Sequence, residues 1–253
     1  MRRFSSKEKD SIIKLRKRGK SLNQICNILK VNVKNKSSIY FHLRKNFGRS
    51  YKLVKLNLSN QNLIGEVMGL FAADGSAVPQ TDYQIRFHLS LDEKKYAKDF
   101  KSVLKEVFNK IPSIYETERN SISIRYRSKV IYEFIKNYLF WEGKKTYTIK
   151  LKSLNHTNKF LIGFLRGYFD GDGYSRKESK TAEIVTTSKN MHNQLKDILS
   201  LLNLSFSTRI YNDKRRKRHT AYYIYLRKLD AVKFIRLIGP RNPKRMRNWG
   251  PVV

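Results

Sequence analysis

Apolar residues along the chain follow two different periods, and the switch between them marks its organisation. Over residues 1–50 they recur at helical intervals. Ser6 is placed to cap a helix running to about Arg18, with Ile12, Ile13 and Leu15 on one side and Gly19 ending it. Ser21 caps a second helix whose apolar face is Leu22, Ile25, Cys26, Ile28 and Leu29. After a turn at Val31–Lys34, Ser37 opens a third, with Ile39, Tyr40 and Leu43 turned inward. From Gly48 to Asn60 no period is visible, which predicts a linker. Beyond it a helical stretch is followed by strict alternation. Tyr83, Ile85, Phe87 and Leu89 interleave with Gln84, Arg86, His88 and Ser90, a strand with one apolar and one polar, partly basic face. A helix over about Lys95–Phe108 comes next. A second strand then turns Ile122, Ile124 and Tyr126 inward and Ser123, Arg125 and Arg127 outward.

That plan occurs twice. LIGEVMGLFAADG (Leu63 to Gly75) returns as LIGFLRGYFDGDG (Leu161 to Gly173), 98 residues later. The repeat continues at an offset of 100, where Ile124, Arg127, Phe134 and Ile135 fall on Ile224, Arg227, Phe234 and Ile235. The second copy's strand sends Tyr222, Ile224 and Leu226 one way and Tyr223, Tyr225 and Arg227 the other. A domain is therefore duplicated, not a helix. The predicted organisation is a module at 1–50, a linker at 51–60, a first half at 61–155 and a second at 156–253.

Charge narrows the partner. The chain carries 54 Lys plus Arg against 20 Asp plus Glu, a formal +34. Such an excess calls for a polyanion, and nucleic acid is the usual one. A membrane surface is the competing polyanion. The sequence has no apolar stretch of spanning length, no signal peptide and no long basic amphipathic helix to support it. The single cysteine, Cys26, excludes an internal disulfide and a cysteine-rich zinc site, and its plain role is a small apolar residue on a helix face. It points to a reducing compartment: the cytoplasm or nucleoid of a prokaryote or an organelle matrix, not secretion. Residues 1–50 alone hold 15 basic and 2 acidic side chains. Their three helices resemble a resolvase-type helix-turn-helix, whose last helix reads the major groove. That resemblance places Lys36, Ser38, His42, Arg44 and Lys45 at DNA. The sheet faces carrying Gln84, Arg86, His88, Arg125, Arg127, Tyr223, Tyr225 and Arg227 form a second basic surface. The run Lys214, Arg215, Arg216, Lys217, Arg218 lies between two strand patterns, as a hairpin loop gripping the DNA backbone.

The repeated helix poses a chemical question. Gly65, Gly69 and Ala72 or Ala73, like Gly163, Gly167 and Gly171, recur three or four apart. Each glycine costs a helix roughly 1 kcal/mol, so the row needs a compensating reason. Small residues in a row let two helix backbones approach closely. Packed together, the helices bring Asp74 and Asp172 side by side at their C-terminal ends. Two acids beside a polyanion are electrostatically costly, and a divalent cation held by carboxylate and carbonyl oxygens resolves the conflict.

These helices, as VMGLFAADG (Val67 to Gly75) and LRGYFDGDG (Leu165 to Gly173), resemble the two signature motifs of LAGLIDADG homing endonucleases. The similarity covers roughly residues 60 to 247. It implies an α+β fold of two pseudo-symmetric α-β-β-α-β-β-α halves forming a saddle-shaped antiparallel sheet on DNA, with the helix-turn-helix appended. It implies a monomeric, metal-dependent nuclease of intron homing that makes a staggered double-strand break in a long, asymmetric site. Mg²⁺ is the implied cofactor, with Mn²⁺ able to substitute and Ca²⁺ binding without efficient cutting. The implied metal ligands are Asp74 and Asp172, with the carbonyls of Ala73 and Gly171. The motif's earlier acidic position is Asp170 in one copy and Ala72 in the other, a variation in helix capping. The family's basic residue near each metal falls on Lys144 or Lys145 in the first half and Lys244 in the second. By position Ser188 would order water, whereas the first-half equivalent near Leu91 could not. Two other classes compete. One is an RNA maturase, with intron RNA as partner; the other is a non-catalytic DNA-binding regulator on the same fold. An intein origin is not expected, since the chain opens on Met and ends without splicing-junction residues.

Overall fold

The structure, a computed structural model, describes residues 3–32, 35–47, 54–118, 120–176, 180–212, 220–246 and 249. The basic run Lys214–Arg218 and part of the turn before the third helix lie outside them. The chain divides into two compact units. One comprises Met1–Lys55, Ala77–Ile85 and Tyr126–Glu133, the other Leu56–Ser76, Arg86–Arg125 and Phe134–Val253.

In the first unit α1 (Ser6–Lys17), α2 (Leu22–Ile28) and α3 (Lys36–Phe47) surround a core of Ile12, Ile25, Cys26, Ile39 and Leu43. Ser5, not Ser6, caps α1: its hydroxyl accepts from Glu8 N while Glu8 reaches back to Ser5 N at 2.8 Å. The reciprocal box needs the glutamate three residues on, and only Ser5 has it. Phe47 joins the core and Val130 packs against it. Arg44 forms a two-pronged pair with Asp82 at 2.9 and 3.0 Å. Asp82 and Tyr83 both adopt positive φ, which ends the turn and starts the next strand at Gln84.

The other unit is organised by α4 (Gln61–Asp74) and α8 (Asn158–Asp172). From Leu63 to Ala72 every residue of α4 is buried, Glu66 included, so the helix is enclosed on all sides. The two backbones touch through the glycines. A Cβ on Gly65 or Gly69 would overlap the carbonyl of Phe160 or Phe164, and one on Gly163 or Gly167 that of Asn62 or Glu66. No other residue permits this approach, which is why the row survives its cost in helix propensity.

Each helix opens the same series of elements. After α4 come β1 (Gly75–Val78), β2 (Gln84–Ser90), α5 (Lys94–Phe108), β3 (Ser113–Thr117), β4 (Ser121–Arg127) and α6 (Lys129–Tyr138). After α8 come β7 (Gly173–Arg176), β8 (Thr181–Thr186), α9 (Lys189–Leu201), β9 (Ser207–Tyr211), β10 (Ala221–Arg227) and α10 (Lys228–Ile238). The strands form four-stranded sheets in orders β1-β2-β4-β3 and β7-β8-β10-β9. Between the halves, β5 (Leu139–Phe140) pairs antiparallel with β6 (Lys150–Leu151) around the short α7 (Lys145–Thr148). After α10, α11 (Pro243–Met246) holds the matching place. The α-β-β-α-β-β-α series is thus present twice. Ile85, Phe87 and Leu89 on β2, and Ile224 and Leu226 on β10, are buried as their alternation predicts.

Candidate active site

At the ends of α4 and α8 the chain runs directly into β1 and β7, and the last helical residues are Asp74 and Asp172. The helix ends nearly touch. A Cβ on Gly171 would lie 2.5 Å from Ala73 Cβ and 3.0 Å from Asp74 Oδ2. Burial, followed by the charge of Asp172, pushes the Asp74 carboxyl up to about 7; burial pushes Asp172 up to about 6. Burial is the main cause at both acids, and the positive charges of Lys145 and Arg245 offset it only in part.

Each helix end holds one cation. Lys145 Nζ donates to the carbonyls of Phe71, Ala72 and Ala73 at 2.9, 2.7 and 3.2 Å. Burial lowers its pKa to about 8, while Asp172 and Asp74 support its charge. Arg245 Nε donates to Asp170 O at 3.1 Å, and a terminal nitrogen of the same guanidinium donates to Gly171 O. Cations on C-terminal carbonyls complement the helix dipole. The strap carrying Lys145 is fixed from both sides. The β5–β6 ladder holds its base, Gln194 on α9 bonds Leu151 N and O at 2.7 and 2.8 Å, and Thr187 Oγ1 donates to Thr146 O.

Several expected site residues lie elsewhere. Lys144 is exposed and precedes α7 as its cap, so Lys145 is the lysine at the acids. Lys244 pairs with Asp92 at 3.2 Å, and Arg245 takes the place at the helix end. The repeat carried that signal, since Lys145 plus the strand offset of 100 is Arg245. Ser188 is fully buried, caps α9 and donates to Ile149 O at 2.7 Å, leaving its hydroxyl nothing to order water with. Its counterpart at offset 98 is Ser90, which heads the turn Leu91–Glu93, so Leu91 implies no asymmetry. Thr146, Thr186 and Thr187 instead line a small pocket with Asp172, Ala73 and Tyr168. Nor does Asp170 cap its own helix. It is fully buried and accepts from Arg241 N and Asn242 N at 3.1 and 3.0 Å.

The sheet faces sort in the same way. Gln84 and Ser123 are buried, so they cannot meet DNA. His88 is exposed, while Arg86, Arg125 and Arg127 are partly exposed. Arg125 lies over the Tyr115 ring at 4.7 Å. On β10, Tyr223 and Tyr225 stack with ring centroids 6.0 Å apart, and Arg227 lies over Tyr225. Arg209 sits opposite Tyr223. In the helical module Lys36, His42 and Lys45 reach the surface. Ser38 is buried, and Arg44 is committed to Asp82.

Among the described residues, no three His, Cys, Asp or Glu side chains converge as a metal cluster. What converges is two carboxylates, the carbonyls of Ala73 and Gly171, and two cationic side chains already drawn to those carbonyls. The donors are all hard oxygens, which fits Mg²⁺, Mn²⁺ or Ca²⁺ and not a soft metal.

The LAGLIDADG-like domain family matches this sequence over residues 62–138 and 159–239, one segment per half. The chain belongs to the LAGLIDADG-like family. Its fold is shared with I-DmoI in complex with DNA and Ca, at 17% identity and TM-score 0.52 over 70% of this chain and 89% of that one. A variant of I-DmoI bound to its target DNA in the presence of Mg gives 17% and 0.51 over 72% and 98%. Full-length DUF199/WhiA from Thermatoga maritima gives 16% and 0.52 over 74% and 58%. Two curated relatives also share sequence with this LAGLIDADG chain. The probable translation initiation factor IF-2 of Methanocaldococcus jannaschii is 25% identical over 250 residues, 87% of this chain and 20% of that protein. The ATP-dependent DNA helicase Hel308 of Thermococcus kodakarensis is 26% identical over 133 residues, 52% and 11%. The chain thus spans a small part of either relative. No helix of the described residues is long and apolar enough to cross a membrane.

Proposed function

We propose that this chain is a site-specific DNA endonuclease, acting as a monomer inside the cell and making a metal-dependent staggered break in a long, asymmetric duplex site. The observation that carries this reading is the pair of buried carboxylates, Asp74 and Asp172, each ending a glycine-packed helix, with Lys145 and Arg245 on the helix-end carbonyls acting on both acids. Asp74 and Asp172, with the carbonyls of Ala73 and Gly171, would hold a divalent ion. When bound, that ion supplies a lowered pKa for the attacking water and stabilises the leaving oxygen. Lys145 and Arg245 offer positive charge to the phosphate as negative charge develops. The arginine- and tyrosine-bearing sheet faces, with Lys36, His42 and Lys45, grip the flanking backbone and base edges. Two relatives with unrelated names match 87% and 52% of this chain, over a fifth and about a tenth of their own lengths. That supports an activity carried by the segment itself.

The fold likeness to WhiA favours a second reading, a DNA-binding regulator without catalysis. Retention of both acids speaks for the nuclease. One experiment separates them: incubate the protein with a randomised duplex library and Mg²⁺, Mn²⁺ or Ca²⁺, and sequence the ends. The nuclease gives a unique cut site with Mg²⁺ or Mn²⁺, retention without efficient cutting in Ca²⁺, and none in excess EDTA. A regulator gives selective retention and no ends with any metal.

A further inference from the structure

The two halves hold their cations by different means. In the first half, Phe71 carries the load: Trp141 packs against its ring at 5.4 Å, and Lys145 Nζ lies over the same ring. In the second, the strap between α10 and α11 is locked by buried polar groups. Gly239, at φ 54, ends α10 in the left-handed region and turns the chain back. Asn242 is fully buried, and its side-chain amide donates to Glu93 Oε1 at 2.6 Å and Asp170 O at 2.9 Å. Its own backbone N–H, with that of Arg241, donates to the two oxygens of Asp170. Arg241 reaches on to the buried Glu66, which also pairs with Arg166 at 3.0 Å. Positions equivalent under the repeat are apolar or unrelated: Ala72 for Asp170, Phe164 for Glu66, Met68 for Arg166, Trp141 for Arg241 and Glu142 for Asn242.

Arg245 lies three positions after Asn242, and its own carbonyl accepts from the buried Ser175 hydroxyl, so the guanidinium leaves a backbone that Asn242 holds on the strap side and Ser175 on the strand side. We infer that Asn242, with Asp170 and Glu93, is a positioning residue that sets Arg245 on the end of α8. The second catalytic half thus depends on a polar lock, and the first on aromatic packing. Removing the lock releases Arg245 while leaving Lys145 in place. On the nuclease reading, on which this inference rests, the two strands then become separable: loss of the lock yields a nicking enzyme.

The test uses the full chain with three substitutions. Asn242→Ala removes both amide bonds, and Asp170→Asn keeps the volume but replaces one acceptor by a donor. Trp141→Leu disturbs the opposite half. Arg245 is probed directly by phenylglyoxal modification and peptide mass spectrometry, beside thermal melting. Asn242→Ala should raise the labelling rate of Arg245 at least threefold, and Trp141→Leu should leave it as in wild type. On a cut site, Asn242→Ala should slow one strand at least tenfold relative to the other, and Trp141→Leu should reverse the preference. Loss of packing alone would slow both strands together. If Asn242→Ala does not fold, Asp170→Asn gives the same readings. Labelling of Arg245 at the wild-type rate in the folded variant overturns the inference, as does equal slowing of both strands by both variants. If wild type cuts no DNA with any metal, the nuclease reading fails and the labelling alone decides the lock.

Discussion

Tyr96 lies fully buried on α5 with its hydroxyl unpartnered, and the nearby charges of Asp170, Glu66, Asp74 and Glu93 push its pKa further up. A buried hydroxyl without a partner costs about 1–3 kcal/mol, so Tyr96→Phe should melt at or above the wild-type temperature. A clear drop would mean that the hydroxyl has a partner in solution. The acid pair gives a second prediction. Asp74 and Asp172 are raised from 3.8 to about 7 and about 6. Folded values above the unfolded ones favour the folded state in acid; that stabilisation is complete below about pH 4 and is lost as pH rises through 6 to 7. Lowered histidines, His42, His88, His156 and His192, act oppositely below 6.5. The comparison of Asp74→Asn with wild type cancels them. Its melting temperature should gain more on wild type at pH 8 than at pH 5 in EDTA; an equal difference would contradict the raised pKa. Residue by residue, the two acids are legible because they repeat at one spacing on glycine-striped helices. Lys244 and Arg245 stand side by side in the run PKRMR, and only carrying the strand offset of 100 on from Lys145 tells them apart in sequence. Asp170 resembles a cap variant in sequence, since its partners Arg241 and Asn242 are about 70 residues away.

The same division holds for elements. Strands buried on one face, such as β2, β4 and β10, show their alternation in the sequence. Strands β3 and β9 do not, since nearly all their side chains are exposed and no apolar row exists to find. Strands β1 and β7 are four residues each, too short for a period. The helix pair is legible through its glycines, and its geometry makes a sharp prediction. Gly69→Ala adds one methyl group that meets the Phe164 carbonyl and the Tyr168 nitrogen, backbone atoms that cannot swing aside. Overpacking of this kind costs about 1–3 kcal/mol or more, and the rigid neighbours favour the upper end. Thermal melting checks it; a wild-type transition would show that the helices are farther apart.

At the scale of the whole chain, a charge of +34 predicts that the proposed binding to DNA weakens steeply with salt. Deleting the helical module would strip Val130 of its cover and leave Asp82 without Arg44, so a deletion confounds folding with binding. The double change Lys36→Gln with Lys45→Gln avoids this. It should weaken binding and reduce the slope of log K against log salt by about two, near one for each phosphate no longer neutralised. An unchanged slope would remove α3 from the interface. Whether the paired acids perform strand cleavage is read by labelling each strand of the selected site and following both cuts in Mg²⁺ by wild type and Asp172→Asn. The substitution keeps side-chain volume and removes a charge, so binding should persist or tighten. At least one strand should then be cut about 100-fold more slowly or worse, the scale of several kcal/mol of lost metal stabilisation. Cleavage of both strands by Asp172→Asn at the wild-type rate would contradict it.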